Sequence, residues 1–460
     1  MDHAFEFDSP SLRVVRYWLA ALLVVGALLR IALLAGYDPV AQPDTGTYVS
    51  AARDLETGDW SRSEGRRTPG YPLFIALLGE SPQTIVLAQV LLGLGTSALL
   101  FMIGMRMTGR PGLAFAVGLT YDLNLQQLFL EAALLTEPLA TFLVAATVLA
   151  LIATISSLRR RGNAAPLVLL TGVCGTAAIM VRPQFLFLLI LLPLLMLYAE
   201  SGLRWRNRRG WLYAVLATLP IVVAVLGWAK IVESKTGYFA TSTQSGFGLV
   251  NHSVEFIELA PERYATVRDI LLKHRAERIA AAGHAGNTVW YAWPEIRQAT
   301  GWSLPEASRQ LQQMSMQMFA EHPVRYAESV ARAWLEFWTV PIIWAPERIS
   351  PVWLAQPLQS VWWLEHKLLR IANLLLVVLV VAVVVSRRLR AAARWDLDAT
   401  AISAVILASS LLQAMADRGA GSRYAMTVQA LIVLLLLVSA SRMLTSMKKP
   451  GRASGLQQAA

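Results

Sequence analysis

The chain has 460 residues, 55% of them hydrophobic and 15% charged, with a mean hydropathy of +0.48. A soluble domain carries about 25% charged residues, so the composition excludes a soluble enzyme, a disordered tail and a fibrous repeat, and a single cysteine, Cys174, excludes a disulfide scaffold. The 41 Lys and Arg against 30 Asp and Glu leave a net +11, yet the excess falls in short clusters between apolar segments and not in one patch with interleaved aromatics. That pattern marks loops on the positive side of a membrane and argues against a nucleic-acid partner.

Apolar runs of crossing length, about 20 residues, recur along the chain. The first, Trp18–Gly36, is longer than the roughly 7–15 residues of a signal-peptide core and reads as a retained signal anchor. The others are Ile85–Met105, Leu113–Leu130, Pro138–Ile155, Ala165–Val181, Phe185–Tyr198, Trp211–Ile231, Leu368–Val385, Ala399–Met415 and Ala425–Ala440. Lipid offers backbone groups no partner, so each must be a helix, and the expected fold is an all-α polytopic membrane protein of about ten transmembrane helices. Ala165–Val181 and Phe185–Tyr198 are short: either they form one tight hairpin, or their boundaries shift by a few residues. The basic clusters are Arg13/Arg16, Arg106/Arg110, Arg159–Arg161, Arg204/Arg206/Arg208/Arg209, Arg387/Arg388/Arg390/Arg394 and Arg442/Lys448/Lys449. They fall in alternate loops, as the positive-inside rule requires of a cell-membrane protein with both termini cytoplasmic.

This topology divides the chain into an N-terminal transmembrane module (1–231) with a large outer loop (37–82), an outer region (232–367), C-terminal transmembrane helices (368–443) and a cytoplasmic tail (444–460). A third, short outer loop is Ala416–Arg423. A long loop on one face of a bundle is more often functional than connective. In the outer region, the stretch Pro305–Pro341 is amphipathic: Leu311, Met314, Met318 and Phe319 recur at helical spacing, Pro323 breaks the helix, and a second helix runs through Tyr326, Val330 and Trp334. Its tryptophans, Trp334, Trp338, Trp344, Trp353, Trp362 and Trp363, either sit among lipid headgroups or fill a small helical core.

The outer segments carry the polar residues that suggest chemistry. Asp44 precedes a short helix expected over Thr45–Leu55; it is either an N-cap or a general base for a hydroxyl nucleophile. Arg66 and Arg67 precede a short apolar piece, Leu73–Leu78, that is too short to cross and reads as re-entrant. They either bind a phosphate or snorkel to headgroups. Glu137 opens a span behind the candidate cap Thr136, where negative charge is also favourable for purely structural reasons. Glu131 lies just before it, and Asp122 and Asn124 sit in an apolar run, where ionisable groups face the bundle interior. Arg182 and Arg423 stand at span edges on the side where the positive-inside rule does not place arginine, which points to an anionic ligand there. Lys230 and Lys235 flank the outer region and read as snorkelling. The six histidines show no paired metal-ligand spacing, and no phosphate loop or dinucleotide fingerprint is present.

In chain order, Pro43-Asp44-Thr45-Gly46-Thr47-Tyr48, Arg67-Thr68-Pro69-Gly70-Tyr71-Pro72, Leu135-Thr136-Glu137-Pro138, Val181-Arg182-Pro183 and Ser422-Arg423-Tyr424 resemble the GT-C superfamily of membrane glycosyltransferases. The nearer resemblance is to the group of dolichyl-phosphate-mannose protein mannosyltransferases and lipid A aminoarabinose transferases. It implies a GT-C-like bundle with amphipathic juxtamembrane helices on the extracytoplasmic face. It also implies an enzyme that takes a sugar from a polyprenyl-phosphate donor, with inversion, to a hydroxyl of a glycan, glycolipid or protein acceptor. On that reading Asp44 is the general base and Glu137 shapes the sugar or acceptor site. Arg66, Arg67, Arg182 and Arg423 hold the donor phosphate, and Tyr48, Tyr71 and Tyr424 contact substrate. Some relatives use a divalent metal; the carboxylates here form no distinctive ligand set, so metal is left open and no other cofactor is expected. The soluble C-terminal domain of some relatives is not expected after the last span, and the outer region matches no motif, which makes it the place for acceptor choice. Two rivals stand beside this reading: a lipid-linked saccharide polymerase or ligase, and a secondary transporter.

Overall fold

The computed structural model describes residues 10–61, 63–202, 207–339, 344–419 and 421–447. Arg204, Arg206, Lys448 and Lys449 of the basic clusters, Pro341 at the end of the amphipathic stretch and residues 448–460 of the tail lie outside them. The apolar runs pair their backbones internally, as lipid demands, and the chain is an all-α polytopic membrane protein. Among the described residues the only β pairing is two isolated bridges, Tyr37 with Ile349 and Val40 with Ala133.

In chain order the N-terminal module contains α1 (Leu12–Gly36), α2 (Thr45–Thr57), α3 (Gly70–Leu78), α4 (Pro82–Thr108), α5 (Pro111–Asp122), α6 (Leu125–Glu131), α7 (Glu137–Arg159), α8 (Ala165–Val181), α9 (Leu188–Ser201) and α10 (Arg208–Thr236). Side-chain caps start several of them. Ser81 accepts from the Thr84 amide ahead of Pro82, and Asn207 accepts from the Arg209 and Gly210 amides at α10. The outer region contributes α11 (Ser245–Ser253), α12 (Ala265–Ala282), α13 (Thr288–Thr300), α14 (Leu304–Glu321) and α15 (Pro323–Phe337). The last segment is α16 (Ala355–Val385), α17 (Arg387–Ala392), α18 (Leu397–Ala416) and α19 (Gly421–Met447).

Among the described residues eight helical segments are long and apolar enough to cross a membrane, and α8 is a shorter apolar helix of 17 residues. The expected span Leu113–Leu130 is not one helix, and this corrects the count of about ten. It breaks at Leu123-Asn124, where Asn124 turns extended and its side chain caps α6 by accepting from the Gln127 amide. A helix of 12 residues reaches about 18 Å, short of the hydrocarbon core. Ala165–Val181 and the following run are two helices with the 3-10 turn Pro183–Phe185 between them, and the second extends a few residues beyond its expected end.

Buried charges meet across the break in the α5–α6 segment. Arg30, in the middle of α1, is 1% exposed. Its Nε and Nη2 donate to Glu131 at 2.7 and 2.8 Å, and its Nη1 donates to Asp122 at 2.7 Å. Ser97 of α4 also donates to Asp122. A charge in an apolar interior is tolerated only when paired, and the bend between α5 and α6 brings both carboxylates to one guanidinium. Glycine makes the space: a Cβ at Gly93 would lie 2.2 Å from Glu131 Oε1, and one at Gly26 2.8 Å from Asp122 Oδ2. The Glu131 and Ala133 carbonyls accept from Gln89, whose Oε1 accepts from Tyr71. Val40 pairs with Ala132 and Leu134, and Thr45 donates to the Leu134 carbonyl. The buried arginine thereby anchors the segment against which the loop carrying Asp44 docks.

The outer region has its own core, in which Phe247 stacks on Trp290 and packs with Leu304, Leu311, Met314 and Met318. It meets the bundle through α15, which packs against α18 and α19; Trp334 donates to Ser410 and Tyr326 to the Met415 carbonyl. Of the tryptophans, Trp362 is buried, Trp334, Trp338 and Trp344 are half-buried, and Trp353 and Trp363 are exposed. At the far end of the bundle Arg110 donates to Ser441, and Arg442 to Asp396 and the Met107 carbonyl.

Removing the central guanidinium strands two carboxylates in an apolar interior. Arg30→Met is expected to cost about 3–5 kcal/mol of stability, measured as a fall in the thermal unfolding midpoint in detergent; an unchanged midpoint would contradict the account.

Candidate active site

The candidate site is built where the α7 N-terminus, the α8 C-terminus, the α19 N-terminus and the loop before α2 converge. Asp44 occupies the N-cap position of α2, but its side chain makes no cap bond. Oδ1 accepts from Arg67 Nη2 at 2.8 Å and Oδ2 from Arg423 Nη1 at 2.8 Å. The cap reading of Asp44 therefore fails: the carboxylate bridges two arginines, one 23 and the other 379 residues away from it in the chain. Arg423 also donates through Nε to Glu137, and Arg182 Nη1 reaches the same Glu137 oxygen at 2.9 Å. The result is a ladder of alternating charge, Arg67, Asp44, Arg423, Glu137, Arg182.

Each rung is held from behind. Arg67 Nε donates to Thr47 Oγ1 at 2.9 Å, and its guanidinium lies 4.3 Å over the Tyr48 ring. Arg182 donates to Thr136 Oγ1 at 3.0 Å and lies 4.1 Å over the Tyr424 ring, an arrangement that attracts cations. Thr136, expected as a cap, makes no cap bond and serves Arg182 instead. Gln184, just after Arg182, donates to Ser409 and Thr427 and ties this corner to α18 and α19. Glu137 is fully buried, while Asp44 remains 35% exposed. Arg423, in the first turn of α19, stands at a positive dipole end, so it needs the two carboxylates as countercharge.

Three guanidiniums against two carboxylates leave a surplus of 3 − 2 = +1 in the ladder. Burial alone would raise the Asp44 carboxyl, but Arg67 and Arg423 outweigh it and hold it down at about 2. Asp417, in the turn before α19, is raised, chiefly by burial and in part by the nearby negative charge of Asp44.

Not every expected residue joins the ladder. Arg66 turns away: its nearest carboxylate is Glu64 at 3.8 Å, and its own carbonyl accepts from Ser242. Tyr71 is fully buried beneath Tyr48, with its hydroxyl committed to Gln89, so it supports the site and does not face it. Glu131 and Asp122 belong to Arg30. Lys230 pairs with Glu233, and Lys235 donates to the Gly58 carbonyl. Arg30 was not among the expected residues, although a single charge inside an apolar run is a legible signal. Among the described residues no group of three or more His, Cys, Asp or Glu side chains gathers as a metal site. Asp44 and Glu137 both face guanidiniums, so this donor set does not fit a divalent cation.

No family model and no curated protein matches the chain. Among solved structures, it is similar to ArnT from Cupriavidus metallidurans bound to undecaprenyl phosphate, at 15% identity, and to the same protein in the apo state, at 14%. Each alignment covers 93% of this chain and 78% of the other, with a TM-score of 0.36. A likeness this distant describes neither the chemistry nor the ligand of this chain.

The ladder sets a pH dependence. Unfolded, Asp44 titrates near 3.9; folded, it titrates at about 2. Its ion pairs therefore stabilise the protein above the unfolded value, and that contribution is lost as pH falls through the folded one. The difference in thermal midpoint between wild type and Asp44→Asn is expected to stay constant from neutral pH down to about pH 5 and to shrink below about pH 4, as read by unfolding scans in detergent.

Proposed function

We propose that the chain is a membrane glycosyltransferase that moves a sugar from a polyprenyl-phosphate donor to an acceptor hydroxyl at the extracytoplasmic face, with inversion at the anomeric carbon. The observation that carries this reading is the ladder: an accessible carboxylate held between two arginines, with a net positive surplus, at the edge of an apolar bundle. Such a site suits an anion on a lipid. The distribution of charge supports the side, because Arg110 and Arg442 lie at the end opposite the ladder and the positive-inside rule assigns basic loops to the cytoplasm. The five motifs that resemble GT-C enzymes supply four of the five charged rungs directly, plus Arg67 at the head of its motif.

The mechanism follows from competition for the arginines. A donor phosphate enters against Arg67 and Arg423, which present planar forks suited to its oxygens. Asp44 then loses countercharge, and its proton affinity rises from the resting value toward one at which it can act as a base. The acceptor oxygen attacks the anomeric carbon from the face opposite the phosphate, and Asp44 takes the hydroxyl proton. The bond from the anomeric carbon to the phosphate oxygen breaks, its electron pair stays on that oxygen, and Arg67 and Arg423 stabilise the charge that develops there. Glu137 holds Arg182 and Arg423 in place as a positioning residue. The base thus becomes competent only when donor is bound.

The test is release of polyprenyl phosphate by purified protein in detergent from a panel of polyprenyl-phosphate sugars with acceptor. Asp44→Asn is expected to lower transfer by roughly 10²–10⁴-fold while the protein stays folded, and Arg423→Ala to weaken donor binding as well. No release from any donor by folded wild type would sink the proposal and favour the transporter; transfer persisting in Asp44→Asn would favour the polymerase or ligase, which needs no such base.

A further inference from the structure

Beside the ladder lies a cavity of about 290 Å³ that the mechanism has not used. Its walls come from three places: Asn251 and Glu255 from α11 and the turn after it, Glu336 and Thr339 from the end of α15, and Arg418 and Ser422 from the turn before α19 and the first turn of that helix, with His284 at one side. Ser422 directly precedes Arg423, the arginine that holds Asp44. The cavity therefore lies between the outer region and the start of α19, which carries the Asp44 partner Arg423.

The cavity is a built site. Asn251 is 3% exposed and its Nδ2 donates to Asp417 at 2.7 Å, but its Oδ1 has no hydrogen-bond partner. An unpartnered buried amide oxygen costs free energy, and it belongs to a residue that lines the cavity. Asp417 also accepts from the Gly419 amide at 2.8 Å. The backbone is drawn close at that point: a Cβ at Gly419 would lie 2.3 Å from Asn287 Oδ1 and 2.9 Å from Asn251 Nδ2.

The chemistry of the walls selects the ligand. Apart from the His284 imidazole, the lining residues include no aromatic ring and no branched aliphatic side chain, so an acyl chain gains little there. They offer an amide, two hydroxyls, two carboxylates and a guanidinium, the donors and acceptors that pair with sugar hydroxyls. Arg418 is held between Glu255 and Glu336, and Arg332 also reaches Glu255, at 3.2 Å. Among the lining residues Arg418 stands against Glu255 and Glu336, which gives 1 − 2 = −1. The ladder next door carries +1, so the two neighbouring sites have opposite sign. The volume is at the lower end of the roughly 300–1,000 Å³ of small-molecule sites, which suits a terminal sugar unit.

We propose that this cavity is the acceptor site, and that it takes the uncharged, polyhydroxylated end of a glycan and rejects phosphorylated or acylated headgroups. The proposal rests on the transferase reading for the word acceptor, and on the cavity alone for the ligand class. A negative wall beside a positive ladder sorts the substrates: the anionic donor goes to the arginines, and the neutral acceptor goes to the carboxylates.

The test uses the full-length protein in detergent without donor. Binding of mannotriose and of a linear arabino-oligosaccharide is followed by saturation-transfer NMR, beside mannotriose carrying a terminal phosphate. Polyprenyl phosphate binding is measured separately by native mass spectrometry. At least one neutral glycan is expected to bind, with the phosphorylated one about tenfold weaker, as one like charge at about 10 Å predicts. Glu336→Gln is expected to narrow that gap, and Thr339→Trp, which fills the cavity, to remove glycan binding while polyprenyl phosphate still binds. Equal binding of phosphorylated and neutral glycans, no binding of either neutral glycan, or glycan binding unaffected by Thr339→Trp would each overturn the proposal. Glycan binding without polyprenyl phosphate binding would instead overturn the donor reading and leave the cavity assignment standing.

Discussion

Charge inside an apolar bundle must be paired, and this constraint organises the molecule twice. In the interior, Arg30 gathers Asp122 and Glu131 from either side of the break between α5 and α6. At the rim, Asp44 and Glu137 interleave with Arg67, Arg423 and Arg182. The two clusters are mechanically linked: the backbone just after Glu131 pairs with Val40 and accepts from Thr45, which neighbours Asp44. Packing alone would let the α2 loop slide on the bundle; the interior clamp sets its height.

The ladder also explains how a strongly paired carboxylate can serve in chemistry. A base held at about 2 is idle at neutral pH, whereas an enzyme needs one matched to its working pH. Arginines shared between Asp44 and an incoming anion reconcile the two demands, because the ligand itself removes the countercharge. In this proposed scheme the resting ion pairs are a placeholder for the donor phosphate. The surplus of one positive charge is what lets a phosphate enter without first expelling an anion.

The outer region contributes more than a cover. It has its own core, and through Asn251, Asn287 and Glu336 it grips the short turn 417–419 from which α19 starts. Arg423 follows that turn by one helical turn, so the position of the outer region and the position of a ladder arginine are mechanically coupled. This coupling places the proposed acceptor cavity and the ladder on either side of the same few residues.

Much of this was legible in residue order. Apolar run lengths foretold an all-α membrane bundle, and arginines on the side opposite the basic loops marked Arg182 and Arg423 as candidates for an anionic ligand, although not their pairing with Glu137. The same rules failed where partners lie far apart in sequence. Leu113–Leu130 has the hydropathy of a span, yet it breaks at Asn124, with Asp122 and Glu131 on either side drawn to Arg30 of α1. Arg66 and Arg67 are equivalent in sequence, but the turn into α3 sends one to Glu64 and the other to Asp44. Tyr71 sits in a motif with Arg67 yet turns inward to Gln89. What the sequence determined alone was which segments are helices, because hydrophobicity and backbone satisfaction in lipid are local properties. What the tertiary structure decided was which charges meet, because a guanidinium and a carboxylate pair by distance in space, and 379 residues of chain separate Arg423 from Asp44.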